Sequence, residues 1–144
     1  MKRIIGRKEK ISFPEWNIQE ITAKVDTGAY NGAIHSMYAE EMIENGEKVL
    51  YFQILDPRHP FFKDKKLRTG RYTVKKVKNS FGHMEKRFLI KTTISIFGEE
   101  FEAGFTLSDR SEMKNAVLLG RRVLKGRFLV DVDKSYTAKA QKNK

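Results

Sequence analysis

Hydrophobic residues recur along this chain in short runs separated by turn residues, and most runs have the period of two that is typical of strands. The alternation is most regular in the second half, on faces formed by Phe88, Ile90, Ile94 and Ile96 and then by Phe101, Ala103, Phe105 and Leu107. The pattern predicts strands at residues 18–25, 33–37, 49–55, 72–77, 87–96, 101–107, 117–119 and 128–130. Helix signals are confined to one turn at 111–114 and a short helix at 120–124.

The segments between these strands are turns rather than linkers. Residues 56–60, Asp-Pro-Arg-His-Pro, end one strand because proline has no N–H to donate to a ladder, and residues 79–82 predict a hairpin. With 144 residues and no internal repeat, we expect one all-β domain over residues 1–135, either a barrel or a folded sheet. Residues 136–144 are basic and predict a flexible tail.

Composition restricts the compartment and the kinds of site. The chain has no cysteine, which excludes disulfides and thiolate metal sites and is compatible with a reducing compartment. No apolar run follows the basic residues Lys2 and Arg3, so no signal peptide is predicted. No window approaches the ~18 apolar residues of a membrane span. We therefore expect a cytoplasmic protein without a membrane partner.

The charge is strongly basic, with 29 Lys and Arg residues against 18 Asp and Glu residues, a formal net charge of +11. Much of the excess lies in residues 63–91, where the acids are Asp64 and Glu85. Such a surface attracts polyanions, whether nucleic acid, anionic lipid or an acidic peptide, and a solvated hairpin without a partner is an equal alternative. Aromatic residues suited either to base stacking or to a core occur in the same part of the chain: Phe61, Phe62, Tyr72 and Phe81.

Residues 24–29, Lys-Val-Asp-Thr-Gly-Ala, place the acid Asp26 directly after an apolar strand and before small residues. A carboxylate held in a tight turn is what an aspartic protease uses to activate water. The alternative is an ordinary β-turn, in which Asp26 accepts backbone hydrogen bonds and Gly28 supplies a positive φ. The second half offers a matching element, an apolar strand followed by Gly120, Arg121 and a short helix.

Several spaced motifs together resemble the bacterial family of retropepsin-like aspartic endopeptidases, formerly described as ATP-dependent zinc proteases. The resemblance spans about residues 4–135 and is carried by the segments 5–7, 23–29, 79–87, 106–113, 118–121 and 128–131. It implies a single-lobe pepsin-like or retropepsin-like closed barrel with one short helix.

The resemblance also implies roles for individual residues. Asp26 would be the catalytic carboxylate, in a loop supported by Thr27, Gly28 and Ala29. The site would be supported from the second half by Gly120 and Arg121. A flap that closes over the peptide would comprise Ser80, Phe81, Gly82 and His83.

The substrate expected from the resemblance is an acidic peptide bound in an extended form. Family members are linked with ATP-grasp ligases that add glutamates to a ribosomal protein, so a glutamate-rich tail is the expected target. The alternatives are a non-catalytic peptide-binding module of the same fold and a basic nucleic-acid-binding β protein.

The catalytic motif occurs once, whereas the chemistry needs two carboxylates, so we expect a homodimer in which a second copy supplies the other Asp26. The alternative source of the second carboxylate is the same chain, which offers Asp109, Asp131 and Asp133. We expect Asp109 to form an ion pair with Arg110 instead, and Asp131 to anchor Arg121 or Arg127. Tyr30 is a departure, because viral retropepsins carry a second acid there that pairs with the arginine of the Gly-Arg turn.

No cofactor is expected. The three histidines, His35, His59 and His83, are dispersed, and the chain has no His-Glu-x-x-His motif for zinc. It also has no Gly-x-x-x-x-Gly-Lys-Ser/Thr loop for ATP.

Overall fold

The computed structural model describes residues 2–78 and 81–137, most of which lie in strands. In chain order these are β1 (Arg3–Ile5), β2 (Lys8–Phe13), β3 (Ile18–Val25), β4 (Gly32–His35), β5 (Tyr38–Glu44), β6 (Glu47–Gln53), β7 (Leu67–Thr69), β8 (Tyr72–Lys78), β9 (Met84–Ile96), β10 (Glu99–Ser108), β11 (Val117–Leu119) and β12 (Phe128–Val130). A 3₁₀ turn at Pro14–Trp16 follows β2, and the α-helix α1 (Arg121–Leu124) follows β11.

Six of these strands close into a barrel. They pair in the order β10-β4-β11-β3-β2-β9, and the long antiparallel hairpin of β9 and β10 completes the ring. Strand β11 lies between β3, to which it is parallel, and β4, to which it is antiparallel. The closed barrel with one short helix confirms the predicted all-β, single-lobe fold.

Apolar side chains from every strand of the ring fill the interior. Fully buried examples are Ile11, Ile21, Ile34, Ile94, Phe105 and Leu119. Each such side chain stabilises the fold by about 1.5–3 kcal/mol relative to an exposed position. Phe13 packs edge-on against Phe105 and stacks on Trp16, with ring centroids 5.4 and 4.8 Å away. A parallel ladder holds β3 and β11 side by side, and the loops that follow both strands form the candidate site.

Three elements extend beyond the barrel. Strands β5, β6 and β7 form a separate three-stranded antiparallel sheet. Strand β8 pairs with β9 along its whole length, so the β8–β9 hairpin continues past the ring. Strands β1 and β12 form a two-stranded parallel ribbon in which Ile4 lies opposite Leu129.

The hydrophobic pattern located most of these strands, and its failures have physical causes. Strands β3 and β12 have the predicted bounds. Strand β2 was missed because Glu9 occupies one of its buried positions, where its carboxylate accepts the Gly6 N–H at 2.8 Å. Strand β5 was missed because it contains three glutamates and lies largely in solvent. The short strands β1 and β7 were also missed.

The predicted tail begins against the barrel. Tyr136 N–H donates to the Lys8 carbonyl at 2.8 Å, and Thr137 bonds to Glu9. Residues 138–144 lie outside the described part of the chain, so the flexibility predicted for them stays a prediction. Within the described residues, no helix is long and apolar enough to cross a membrane.

Candidate active site

Asp26 is the first residue after β3, at the point where the barrel wall opens into a loop. Its N–H donates to the Leu119 carbonyl at 2.9 Å, which extends the parallel ladder of β3 and β11 by one residue. The Ala29 N–H bonds to the Asp26 carbonyl at 3.4 Å and closes a turn. The backbone of Asp26 is thus fixed by the sheet.

The Asp26 carboxylate is half-buried and held on one side only. Its Oδ1 accepts the Gly28 N–H at 2.9 Å, whereas Oδ2 has no hydrogen-bond donor among the described residues. Gly28 does not adopt a positive φ, in contrast to the β-turn alternative. Its small size matters instead, since a Cβ on Gly28 would lie 3.2 Å from Asp26 Oδ1. One carboxylate oxygen is therefore available to a ligand.

The Gly120-Arg121 turn lies directly against this loop. A Cβ on Gly120 would lie 2.5 Å from the Asn31 carbonyl carbon, so only glycine permits the approach. The backbone N–H groups of Arg121 and Arg122 donate to the carbonyls of Ala29 and Tyr30 at 2.8 and 3.0 Å. The predicted partnership of the two segments is present in the structure.

Arg121 binds the loop through a backbone carbonyl rather than through an acid. Its Nη1 donates to the Thr27 carbonyl at 2.9 Å. With Tyr30 in place of an acidic residue, this bond supplies the partner that the sequence left open. The Tyr30 side chain is mostly exposed, and so is that of Thr27.

Two predicted ion pairs of the alternative carboxylates are wrong. Asp109 accepts the N–H and hydroxyl of Ser111, and it forms no ion pair with Arg110 within the described chain. Asp131 accepts the Asp133 N–H at 3.0 Å instead of anchoring an arginine. Arg127 lies over the Phe101 ring, 4.6 Å from its centroid. Both acids cap local turns.

The β8–β9 hairpin occupies the predicted flap position. Gly82 adopts φ +81°, and Phe81 and His83 beside it are exposed; Ser80 lies outside the described residues. Cross-strand register places Lys75 opposite Arg87 and Lys76 opposite Lys86. Like charges directly opposite each other destabilise a ladder. The β8–β9 hairpin is rich in basic residues, and it is called the cationic arm below.

The structure also reveals charged groups that the sequence pattern did not identify. The His35 imidazole and the Asp56 carboxylate are buried and lie 2.7 Å apart. The guanidinium of Arg58 holds the pKa of Asp56 well below its usual range. Burial lowers the pKa of Arg110, and the charge of Asp26 opposes that change. No local sequence signal indicates the contact of His35 with Asp56 or the effect of Asp26 on Arg110, because each joins residues far apart in the chain.

His35 and His59 line the same cavity, but within residues 2–78 and 81–137 no group of three His, Asp or Glu side chains is arranged to hold a metal ion. His35 ends strand β4 and is buried. The Nδ1 of His59 accepts the Phe61 N–H at 3.0 Å.

Two curated relatives are each named probable alpha-L-glutamate ligase. The protein from Desulfotalea psychrophila is 35% identical over 134 residues, which cover 90% of this chain and 28% of the relative. The protein from Shewanella halifaxensis is 32% identical over 139 residues, which cover 94% and 30%. The chain thus spans less than a third of the length of these relatives.

A solved structure shares the fold of this chain, and a family model matches its sequence. A solved structure of a protein of unknown function from Legionella pneumophila superposes with a TM-score of 0.75 at 23% identity, covering 96% of this chain and 99% of that one. The sequence model of the RimB-like family, described as retropepsin-like aspartic endopeptidase RimB, matches residues 4–141. The chain therefore belongs to the RimB-like family of retropepsin-like aspartic endopeptidases.

Proposed function

We propose that this protein is an aspartic endopeptidase in which Asp26 activates the attacking water. The observation that supports this most is how the Asp26 carboxylate is held in its loop. The β3–β11 ladder fixes its backbone, Gly28 holds Oδ1, and Oδ2 is without a donor in the described chain. A carboxylate held in place with one free oxygen is suited to act as a general base.

The reaction requires a second carboxyl group beside the first. Two carboxylates about 3 Å apart cannot both ionise, so they share one proton. The ionised group takes a proton from water while the neutral group donates its proton to the scissile carbonyl oxygen. The resulting tetrahedral diol collapses, the C–N bond breaks, and the leaving amine takes a proton from the pair.

We assign the second carboxyl to Asp26 of another copy of the chain. The β1–β12 ribbon supports this assignment, because its inner face packs on the core whereas its outer face presents paired apolar side chains to solvent. Ile4 is 40% exposed and lies opposite Leu129, which is 55% exposed; the nearby Val132 is 70% exposed. A two-fold dimer through this face would cover these side chains and bring two identical loops to one axis.

The substrate we propose is an acidic, glutamate-rich peptide such as the tail that a ligase adds to a ribosomal protein. The cationic arm supports it, since Lys75 and Lys76 have no acidic partner among the described residues, whereas the basic residues opposite them pair with Glu85 and Glu41. The curated relatives add support, because they are named glutamate ligases and include a segment similar to this chain. An extended peptide beside the hairpin would neutralise the opposed charges.

A second candidate is a module that binds glutamate-rich peptide without cleaving it, which the ligase names of the longer relatives also favour. Nucleic-acid binding is less well supported. Phe62 and Tyr72 pack on the core, and the Tyr72 hydroxyl donates to Glu41 at 2.8 Å. These two rings are thus unavailable as stacking platforms.

Cleavage of a fluorogenic glutamate-rich peptide distinguishes these functions. Asp26→Asn keeps the shape of the side chain and removes the base, so we expect cleavage to stop while the far-ultraviolet circular dichroism spectrum is unchanged. Glu47→Gln, at an exposed carboxylate of β6, is the matched control and keeps full activity. Peptide that binds wild type and Asp26→Asn equally, without cleavage by either, would establish the binding module instead.

A further inference from the structure

A cavity of about 460 Å³ lies between the loop that follows β6 and the loop that precedes β11. Residues 56 and 58–61 form one wall, residues 110, 111 and 113–116 form the other, and residues of β2 and β3 form the floor. Asp26 does not line this cavity. It is therefore a different place on the molecule from the candidate active site.

The two walls are joined by one buried imidazole. The backbone N–H of Arg110 donates to His35 Nδ1 at 2.8 Å. On the other side of the ring, His35 Nε2 lies 2.7 Å from Asp56 Oδ2. Because Nδ1 accepts a hydrogen bond, the ring proton is on Nε2 and is donated to Asp56. This arrangement fixes the distance between the walls, so the cavity exists before any ligand binds.

The lining of the cavity is cationic. It includes four basic side chains, Lys10, Arg58, Arg110 and Lys114, and one acid, Asp56. That acid is fully engaged, since it accepts bonds from the backbone and guanidinium of Arg58 as well as from His35. The charges of Glu112 and Asp109 also act on Arg58, so the uncompensated positive charge of the lining is that of Lys10, Arg110 and Lys114.

Arg110 is the most informative of these side chains. It is half-buried, and its Nε donates to the Asn115 carbonyl at 3.0 Å. Among the described residues, its two terminal amino groups have no acceptor and no carboxylate lies at ion-pair distance. A desolvated guanidinium without a bidentate acceptor is costly, and a carboxylate or phosphate supplies the matching pair of oxygens.

We propose that this cavity binds a small oxyanion, a carboxylate or a phosphate, through Arg110 and Lys114. Binding of the anion does not depend on the proposed peptidase activity.

Isothermal titration calorimetry of the whole chain with sodium phosphate and, separately, sodium glutamate tests the site at constant ionic strength, with chloride as the reference. We expect one saturable site. The anion that binds more tightly shows whether the ligand of the cavity is a phosphate or a carboxylate. Arg110→Lys keeps the charge but loses the planar fork, so affinity falls about tenfold. Lys114→Gln weakens binding about two- to fivefold. Lys125→Gln, at an exposed lysine outside the cavity, leaves it unchanged.

Two results would overturn the proposal. The first is that neither anion binds wild type more tightly than chloride. The second is that Lys125→Gln weakens binding as much as Lys114→Gln, which would reflect net charge alone. If circular dichroism shows that Arg110→Lys does not fold, the exposed Lys114 and the floor residue Lys10, each replaced by Gln, decide the outcome.

Discussion

Gly120 is the position where the two halves of the candidate site approach most closely, and its replacement by alanine gives a sharp test of the packing. The added Cβ would lie 2.5 Å from the Asn31 carbonyl carbon and 2.6 Å from the Tyr30 carbonyl oxygen. Ordinary contacts begin near 3.4 Å, so backbone must move by almost 1 Å. Both atoms are backbone atoms, so the clash cannot be relieved by the movement of a flexible side chain.

The cost has two parts. Forcing a methyl group into packed structure costs about 1–3 kcal/mol. The displaced loop also loses or weakens the bonds from Arg121 N–H to Ala29 and from Arg122 N–H to Tyr30, each about 1 kcal/mol. We expect Gly120→Ala to lower the free energy of unfolding by about 2–4 kcal/mol, a large part of the 5–15 kcal/mol that is typical of a domain.

Urea denaturation followed by circular dichroism measures this change. With a slope of about 2 kcal/mol per molar urea, the midpoint falls by about 1–2 M. Gly70→Ala is the matched control, since a Cβ there has open space and its φ is not positive; we expect it to be neutral or slightly stabilising. Equal midpoints for the two variants would refute the close approach of Gly120 to the Asp26 loop.

Three further predictions concern the dimer, the substrate and acid stability. Leu129→Glu places a charge on the exposed face of the β1–β12 ribbon, so sedimentation velocity should show monomers without peptidase activity, whereas Ile43→Glu, at an exposed residue of β5, remains dimeric. A dimer that tolerates Leu129→Glu would contradict the assigned face. Peptides in which Gln replaces Glu should be cleaved more slowly, and Lys75→Gln should reduce this preference while Lys125→Gln does not; equal rates for both peptides would exclude acidic recognition. The pKa of Asp56 is lowered, chiefly by Arg58, so its stabilisation is present above its ordinary pKa of 3.8 and is lost as the pH falls below that value. Asp56→Asn should therefore flatten the decline of the unfolding free energy below about pH 4, and an unchanged acid slope would refute this assignment.

The sequence predicted those parts of the site that depend on local pattern. Asp26 ends a strand whose apolar positions have a clear period, and Gly120 follows a short apolar run, so both loops could be located in advance. The Arg121 bond to the Thr27 carbonyl was not predictable, because a carbonyl acceptor leaves no residue signature. Likewise, Arg110, His35 and Asp56 come from three separate segments. Arg110 reaches His35 because β4 pairs with β10, and Asp56 reaches it because residues 36 and 55 form a β-bridge.

Asp26 is proposed as half of a catalytic pair, and mixing subunits tests that claim most directly. Wild-type chain is held constant while a ninefold excess of Asp26→Asn is added under conditions that allow subunits to exchange, and cleavage of the glutamate-rich peptide is measured. If each active site needs one Asp26 from each copy, random mixing leaves activity per wild-type chain at about a tenth of its starting value. Activity that stays constant as the inactive variant is added, with mixed dimers demonstrably present, would contradict the shared site.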